Sequence, residues 1–374
     1  MAAPGKALER ARTRRAQLLP LARRGAAALA GLYLFVGALQ LMKTGAARLD
    51  VLQEGSALAA NALATLGLGW LGALVVLSGS PVAATSLTLV AAGEDTGGAR
   101  GLGELEGFAM LTGSRLGAAF VVLLVAVVYG LRAGEGHRRA PVSTAVLALT
   151  TTAVAYVPAA FLGAALLSWD RYHGLELGFP AAFVDLLDAL YGDVVHRAEA
   201  LPSPLVFAAG LGTLLVAFKL VDLALPDLDG SAVSRKGGWL RRTWPMFFLG
   251  SAIALVTMSV SVALTILVPL VAKNLVRREY IVPYIMGANL TTLGDTMLAA
   301  FALDSPAAVR VVLAEVVAAG AISLALLAFA YPLVWSALWG TQAAVTRTRT
   351  RLALFTAGVF LVPVSLVAAG AALG

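Results

Sequence analysis

The sequence consists mostly of long apolar segments, and this feature restricts the fold more than any other. A helix of about 20 residues spans a hydrocarbon core of about 30 Å, and backbone groups in lipid must be hydrogen-bonded within the chain. The segments are continuously apolar, which excludes the alternating pattern of a β-barrel. They lie at approximately 25–46, 57–92, 107–131, 140–168, 203–225, 243–271, 280–303, 306–334 and 352–373. The sequence therefore predicts an all-α polytopic membrane protein.

The composition narrows the functions that such a chain can have. Hydrophobic residues make up 59% of it and charged residues only 13%, whereas about 25% of a soluble domain is charged. It contains no cysteine, which excludes a disulfide, a thiolate metal site and a cysteine nucleophile. The three histidines fall in predicted loops without the spacing of a zinc site. Since no nucleophile and base stand at a plausible spacing, we expect no enzyme, no cofactor and no bound metal.

The distribution of charge predicts the orientation of the chain in the cell membrane. The N-terminal tail, residues 1–24, is strongly basic and carries most of the net charge of +7. Further basic clusters stand near Arg138, Arg241 and Arg349, and the positive-inside rule places them and the tail in the cytoplasm. The acidic linker 169–202 is expected outside. We interpret the basic residues as a topology signal beside lipid, not as a nucleic-acid patch.

One apolar segment of the first half is predicted to enter the membrane and return to the same side. Three simple spans between the tail and Arg132 cannot leave both in the cytoplasm, so one segment must turn back. Segment 57–92 is too long for one helix, and glycine and proline at its centre, Ser78 to Pro81, break helices. The sequence predicts a re-entrant hairpin that enters from outside.

The second half is predicted to repeat this arrangement upside down. Segment 243–271, broken near Ser259 and Ser261, is expected to enter from the cytoplasm, which is typical of inverted repeats. Matching stretches are Phe35 to Lys43 with Leu211 to Lys219, Gly79 to Val90 with Met258 to Pro269, and Gly113 to Gly117 with Gly287 to Thr291. The predicted units are the tail 1–24, repeat one 25–168, the linker 169–202, repeat two 203–334, and a basic loop with a final helix 335–374.

Small hydroxyl residues cluster at both predicted breaks. Re-entrant hairpins leave backbone groups unpaired at mid-membrane, which is tolerated where they line a polar cavity, and helix N-termini there favour an anion. Alternatively, such residues only pack and hydrogen-bond to carbonyl groups one turn back. Their occurrence at both breaks favours a binding site. The candidates are Ser80, Thr85 and Ser86 in the first repeat and Ser259, Ser261 and Thr265 in the second.

Three ionisable residues stand in apolar surroundings, namely Arg115, Asp295 and Glu315. Each costs about 2.5 to 3.5 kcal/mol on an insertion scale at a helix centre, so function or pairing is expected. Arg115 occupies the position of Asn289 in the repeat register, and a guanidinium binds a tetrahedral oxyanion through two bonds. The alternative is a structural pair between Arg115 and Asp295. For Glu315 we expect a local ion pair with Arg310.

Several of these motifs resemble the sodium–phosphate cotransporter family, of the type II kind and its bacterial relatives. The resemblance covers nearly the whole chain except the tail and the linker. It is carried by Gly31 to Gly45 (GLYLFVGALQLMKTG), Met258 to Leu270 (MSVSVALTILVPL) and Ile285 to Thr296 (IMGANLTTLGDT). The resemblance implies that phosphate and sodium contact Ser259, Ser261, Thr265, Asn289 and Thr292, with Thr291 beside them and Ser80, Thr85 and Ser86 as first-repeat counterparts. The chain departs from the family at Arg115, where asparagine is expected.

Two classes of function follow. The first is a secondary transporter of inorganic phosphate or a similar oxyanion, coupled to sodium by the family resemblance or to protons, or operating as an exporter. The second is a membrane scaffold that kept the fold without transport. Charged and hydroxyl groups at both breaks favour the first, since a scaffold has no need of charge in lipid. Partners would be phosphate or a similar small anion and lipid, and a homo-oligomer is compatible with either class.

Overall fold

A computed structural model describes residues 4–49, 61–132, 139–174, 180–224, 242–257, 259–272 and 276–373, and these are almost entirely helical. In chain order the helices are α1 (Pro4–Ala46), α2 (Ala62–Val76), α3 (Ser80–Asp95), α4 (Glu104–Ala118), α5 (Phe120–Arg132), α6 (Arg139–Leu167), α7 (Asp170–His173), α8 (Ala181–Ala198), α9 (Ser203–Ala224), α10 (Thr243–Thr257), α11 (Val260–Ala272), α12 (Ile281–Thr291), α13 (Leu293–Ala302), α14 (Pro306–Phe329), α15 (Tyr331–Thr346) and α16 (Arg349–Leu373). The all-α fold expected from the sequence is confirmed.

Helix lengths within the described residues are compatible with a membrane-embedded protein. Six helices are long and apolar enough to cross: Arg23–Ala46, Glu104–Val128, Pro141–Leu167, Ser203–Val221, Pro306–Phe329 and Arg349–Leu373. The apolar helices α2 and α10 have only 15 residues each. At 1.5 Å per residue they are about 22 Å long, short of the hydrocarbon thickness of about 30 Å.

The first predicted break coincides with a turn between two helices. Helix α2 ends at Val76, and Leu77 adopts a left-handed conformation with φ of 57°. Helix α3 begins at Ser80 with a proline in its first turn, where the missing N–H costs no helical hydrogen bond. A Cβ added to Gly72 would lie 3.3 Å from the methyl groups of Val82. The first turn of α3 therefore lies beside the last turns of α2.

The second predicted break also separates two helices. Helix α10 ends at Thr257 and α11 begins at Val260. Between them, the Ser259 hydroxyl accepts a hydrogen bond of 3.3 Å from the backbone N–H of Val262, as an N-cap residue does. Glycine and proline mark the first break, whereas a capping serine marks this one.

Helix α2 crosses α4 through direct backbone contact at two glycines. A side chain on Gly69 would collide with the carbonyl oxygen of Met110, and one on Gly113 would collide with that of Leu66. Because each glycine faces the backbone of the other helix, the two helices approach more closely than any larger residue permits.

Helix α10 crosses α12 in the same way. A side chain on Gly250 would collide with the carbonyl oxygen of Tyr284, and one on Gly287 would collide with that of Phe247. Gly113 and Gly287 are the residues that the sequence comparison placed opposite each other. The two halves therefore share a reciprocal glycine crossing at corresponding positions.

The opening helices of the two halves, α1 and α9, pack side by side. Gly31 lies against Val221, near the end of α9, and Gly45 lies against Phe207, near its beginning. The order of contacts shows that these helices run antiparallel.

Acidic residues and their partners gather at one end of the bundle. Lys43 on α1 lies 3.0 Å from Asp95 at the end of α3. Arg310 on α14 donates two hydrogen bonds, of 2.9 and 2.5 Å, to one oxygen of Glu104 on α4. These contacts define the acidic end of the molecule.

The acidic linker contains a helix that packs on the bundle. The Tyr191 hydroxyl of α8 donates a hydrogen bond of 2.9 Å to the carbonyl oxygen of Tyr33 in α1. Immediately after the end of α8, Glu199 lies 3.5 Å from Arg48. The linker is therefore tied to α1, while the predicted unit boundaries remain predictions.

Labelling of single cysteines tests the predicted orientation, although Arg138 and Arg241 lie outside the described residues. We expect Asp185→Cys, exposed on α8 in the acidic linker, to react with an impermeant maleimide added outside. Arg349→Cys, exposed at the beginning of α16, should react only after the cytoplasmic side is opened. The parent chain, which has no thiol, is the control. Reaction of Asp185→Cys from the cytoplasmic side alone would contradict the orientation.

Candidate functional site

Four ionisable side chains from four helices meet in the apolar interior. Arg115 of α4, Tyr156 of α6, Asp295 of α13 and Glu315 of α14 are each at most 5% exposed. They are close enough to interact electrostatically, and apolar side chains such as Leu116 surround them. Because charge in such surroundings is costly, this buried cluster is the candidate site.

Arg115 and Asp295 form a pair that a threonine bridges. The Nη2 of Arg115 lies 3.9 Å from Oδ1 of Asp295 and donates a hydrogen bond to the hydroxyl of Thr296. That hydroxyl in turn donates a hydrogen bond of 2.9 Å to the same Asp295 oxygen. The structural pair that the sequence left open is therefore present in this conformation.

The pair lies at the beginning of α3 and is incompletely satisfied. The Ser80 hydroxyl lies within hydrogen-bonding reach of Asp295. The Asp295 carboxylate thus lies between the Arg115 guanidinium and the N-terminus of α3, and a helix N-terminus carries positive partial charge. Among the described residues, Nε of Arg115 and Oδ2 of Asp295 have no hydrogen-bond partner. The site therefore retains one unused donor and one unused acceptor.

Glu315 belongs to the buried cluster, and the predicted ion pair with Arg310 is wrong. Its Oε2 accepts a hydrogen bond of 2.7 Å from the Thr112 hydroxyl of α4, and its Oε1 has no partner among the described residues. Arg310 binds Glu104 at the acidic end instead. Five residues along a helix correspond to a rotation of about 140°, so Arg310 and Glu315 face different neighbours.

Asn289 holds a second polar contact between α12 and α6. Its side-chain Nδ2 donates a hydrogen bond of 2.9 Å to the Thr152 hydroxyl, and its backbone carbonyl oxygen accepts one of 3.0 Å from the Tyr156 hydroxyl. The Thr292 hydroxyl donates to the same carbonyl oxygen at 2.9 Å. Tyr156 links this contact to the buried cluster.

Several predicted hydroxyl residues hydrogen-bond to the backbone, as the packing interpretation expects. Thr85 donates to the carbonyl oxygen of Pro81, one turn back, and Thr291 donates to that of Gly287. The Ser86 hydroxyl donates a hydrogen bond of 2.6 Å to the Gly107 carbonyl oxygen and joins α3 to α4. In this conformation the Ser86 hydroxyl joins two helices, whereas the bonds of Thr85 to Pro81 and of Thr291 to Gly287 lie within one helix.

The second break contributes little that can be placed at the buried cluster. The Ser259 hydroxyl caps α11, and the side chains of Ser261 and Thr265 lie outside the described part of the structure. Helix α11 packs in an apolar cluster with α5, α10 and α12, whereas α3 packs with α1, α13 and α14. Of the predicted residues, the structure thus brings together Ser80, Arg115 and Asp295.

Sequence reasoning missed the hydroxyl groups that complete the buried cluster. These are Thr112, Tyr156 and Thr296. Thr112 precedes Arg115 by three residues on α4, a spacing that places both on one helix face and could have indicated it. Nothing in the sequence around Tyr156 indicates its partner.

No family model, curated protein or solved structure matches the chain. The resemblance to the sodium–phosphate cotransporters therefore stays a prediction. The geometry of the buried cluster carries the functional argument.

Proposed function

We propose that the chain is a secondary transporter of inorganic phosphate or a similar small oxyanion, coupled to the movement of a cation. The observation that carries the proposal is Arg115, a guanidinium that is 4% exposed and whose Nε has no partner among the described residues. It belongs to the last turn of α4, which packs beside the beginning of α3. Arginine matches the geometry of tetrahedral oxyanions with two parallel N–H groups. The N-terminus of α3 adds a second attraction for negative charge.

The architecture supports transport through inverted repeats. Helices α2 and α10, with 15 residues each, are too short to cross alone and each precedes a break. The halves share the glycine crossing, and their opening helices run antiparallel. We therefore propose two re-entrant hairpins related by a pseudo-two-fold axis in the membrane plane, an arrangement that transporters use for alternating access.

Asp295 gives the site a way to bind and release its anion. Its carboxylate lies between Arg115 and Ser80, the position at which a bound oxyanion would be attracted most strongly. The conformation described here is therefore closed, with an internal carboxylate in the substrate position. Phosphate binds when the contact between Asp295 and Arg115 breaks, and re-formation of that contact favours phosphate release.

The scaffold alternative rests on the same pair. Thr296 joins Arg115 to Asp295 without any ligand, as a purely structural contact would. The two functions differ in one measurable property, since a scaffold moves no phosphate. An exporter would use the same site in the opposite direction.

Exchange of radiolabelled phosphate across proteoliposomes tests the proposal. We expect the purified protein to exchange phosphate far above protein-free vesicles, with sulfate as a competitor that defines anion selectivity. Arg115→Lys keeps the charge but loses the paired N–H groups, so exchange should fall about tenfold, the equivalent of one charge-assisted hydrogen bond.

Arg310→Lys is the matched control, because Arg310 pairs with Glu104 at the acidic end and not in the buried cluster. Its exchange should stay close to that of the parent. Folded parent protein that exchanges neither phosphate nor sulfate would rule out the transporter and leave the scaffold.

A further inference from the structure

We infer that Glu315 is a proton-binding site that couples anion movement to a proton gradient. The inference rests on the proposed function and assigns its coupling ion. Glu315 is 0% exposed on α14, and only one of its carboxyl oxygens accepts a hydrogen bond from a described residue, Thr112. A carboxylate oxygen buried without a donor carries an uncompensated cost, which protonation of that oxygen removes.

The charges around Glu315 do not balance. Among the described residues it interacts with Arg115 from α4 and Tyr156 from α6, and Arg115 also interacts with Asp295 from α13. Tyrosine is neutral in its ordinary form, so one cation serves two carboxyl groups. Since Thr296 holds Arg115 beside Asp295, Glu315 is the carboxylate of the cluster that forms no ion pair with a described residue. One proton on Glu315 makes the buried cluster neutral.

The anion and proton sites share one helix face. Thr112 and Arg115 stand three residues apart on α4, so they point in the same direction. A shift of α4 that releases Arg115 from Asp295 therefore also moves the donor that holds Glu315. The two binding events are mechanically linked through α4.

Glu315 takes up one proton and releases one proton in each transport cycle. On one side of the membrane the Glu315 carboxylate takes a proton from water and becomes a carboxylic acid. The anion enters against Arg115 while Glu315 carries no charge. On the other side the anion leaves, and Glu315 returns the proton to water. Each cycle moves the proton and the anion together.

Two assays on the same proteoliposomes separate this inference from the proposed function. Exchange at equal phosphate and equal pH on both sides needs binding but no net proton movement. Accumulation of radiolabelled phosphate driven by an imposed pH gradient needs both. We expect the parent to do both, and Glu315→Gln to lose pH-driven accumulation by a larger factor than it loses exchange.

Glu106→Gln is the matched control, because Glu106 lies in the first turn of α4, away from the buried cluster, and is partly exposed. It should keep both activities. Parent exchange with accumulation that follows a sodium gradient and ignores pH would overturn the proton site and leave the transporter standing. Retention of pH-driven accumulation by Glu315→Gln would do the same, whereas absent parent exchange would overturn the proposed function itself.

A second variant covers the outcome that Glu315→Gln does not fold. Thr112→Val removes the hydrogen bond to Glu315 and keeps the shape of the side chain. Since that bond favours the ionised carboxylate, its loss should shift the pH dependence of accumulation toward higher pH. An unchanged pH dependence in folded Thr112→Val would argue against Glu315 as the proton carrier.

Discussion

Replacing Arg115 by methionine is expected to lower the free energy of unfolding by about 3–5 kcal/mol, the effect of breaking a buried ion pair. Its guanidinium pairs with Asp295 in the interior, and that buried carboxylate would be left without its cation. Unfolding by denaturing detergent in mixed micelles measures the change. The matched control is Arg48→Met, which breaks an ion pair with Glu199 whose side chains are both 43% exposed. There we expect a loss of about 0–1 kcal/mol.

A double variant tells charge imbalance from lost packing. Adding Asp295→Asn to Arg115→Met removes the stranded carboxylate and keeps its size. The double variant should therefore recover part of the lost stability. If Arg115→Met were no more destabilising than Arg48→Met, the buried cluster would not hold the charges that the geometry assigns to it.

The second large effect is expected at the glycine crossings. A methyl group on Gly250 would collide with the backbone of Tyr284, and one on Gly287 with that of Phe247. Alanine improves helix propensity by about 1 kcal/mol, but overpacking against a backbone that cannot yield costs about 1–3 kcal/mol or more. We expect Gly250→Ala and Gly287→Ala to be destabilising in the same unfolding assay.

Gly340→Ala is the control for the crossing. Gly340 lies within α15, and a Cβ there would meet nothing within 4 Å. Since only helix propensity changes at this position, Gly340→Ala should leave the free energy of unfolding unchanged or raise it by up to about 1 kcal/mol. Equal behaviour of Gly250→Ala and Gly340→Ala would show that α10 and α12 do not touch through their backbones.

Features set by local chemistry could be predicted from the sequence. The glycine and proline that follow Ser78 predicted a break, and α2 ends just before them, at Val76. The break near Ser259 lies where the repeat comparison placed it. Charges are rare in apolar segments, so Arg115 and Asp295 could be recognised as buried partners without a fold. Each of these predictions depends on a residue and its near neighbours.

Contacts between distant helices could not be predicted in the same way. The sequence alone predicted an ion pair between Glu315 and Arg310 because both residues lie on one helix. The actual partner of each residue depends on which helix face meets which neighbouring helix. Thr112 and Thr296 looked like ordinary membrane threonines, since a hydroxyl gains its role from what packs against it. Their roles appear once α4, α13 and α14 converge.

The glycine crossings also decide which parts of the molecule can move. Helices that meet through their backbones have no layer of side chains on which to slide, so α2 with α4, and α10 with α12, each behave as one rigid body. Flexing is then left to the short non-helical stretches beside them, at Leu77 to Gly79 and around Ser259. The first of these adjoins Ser80, next to Asp295. A hinge motion there would swing the beginning of α3 toward or away from the guanidinium without unpacking either crossing.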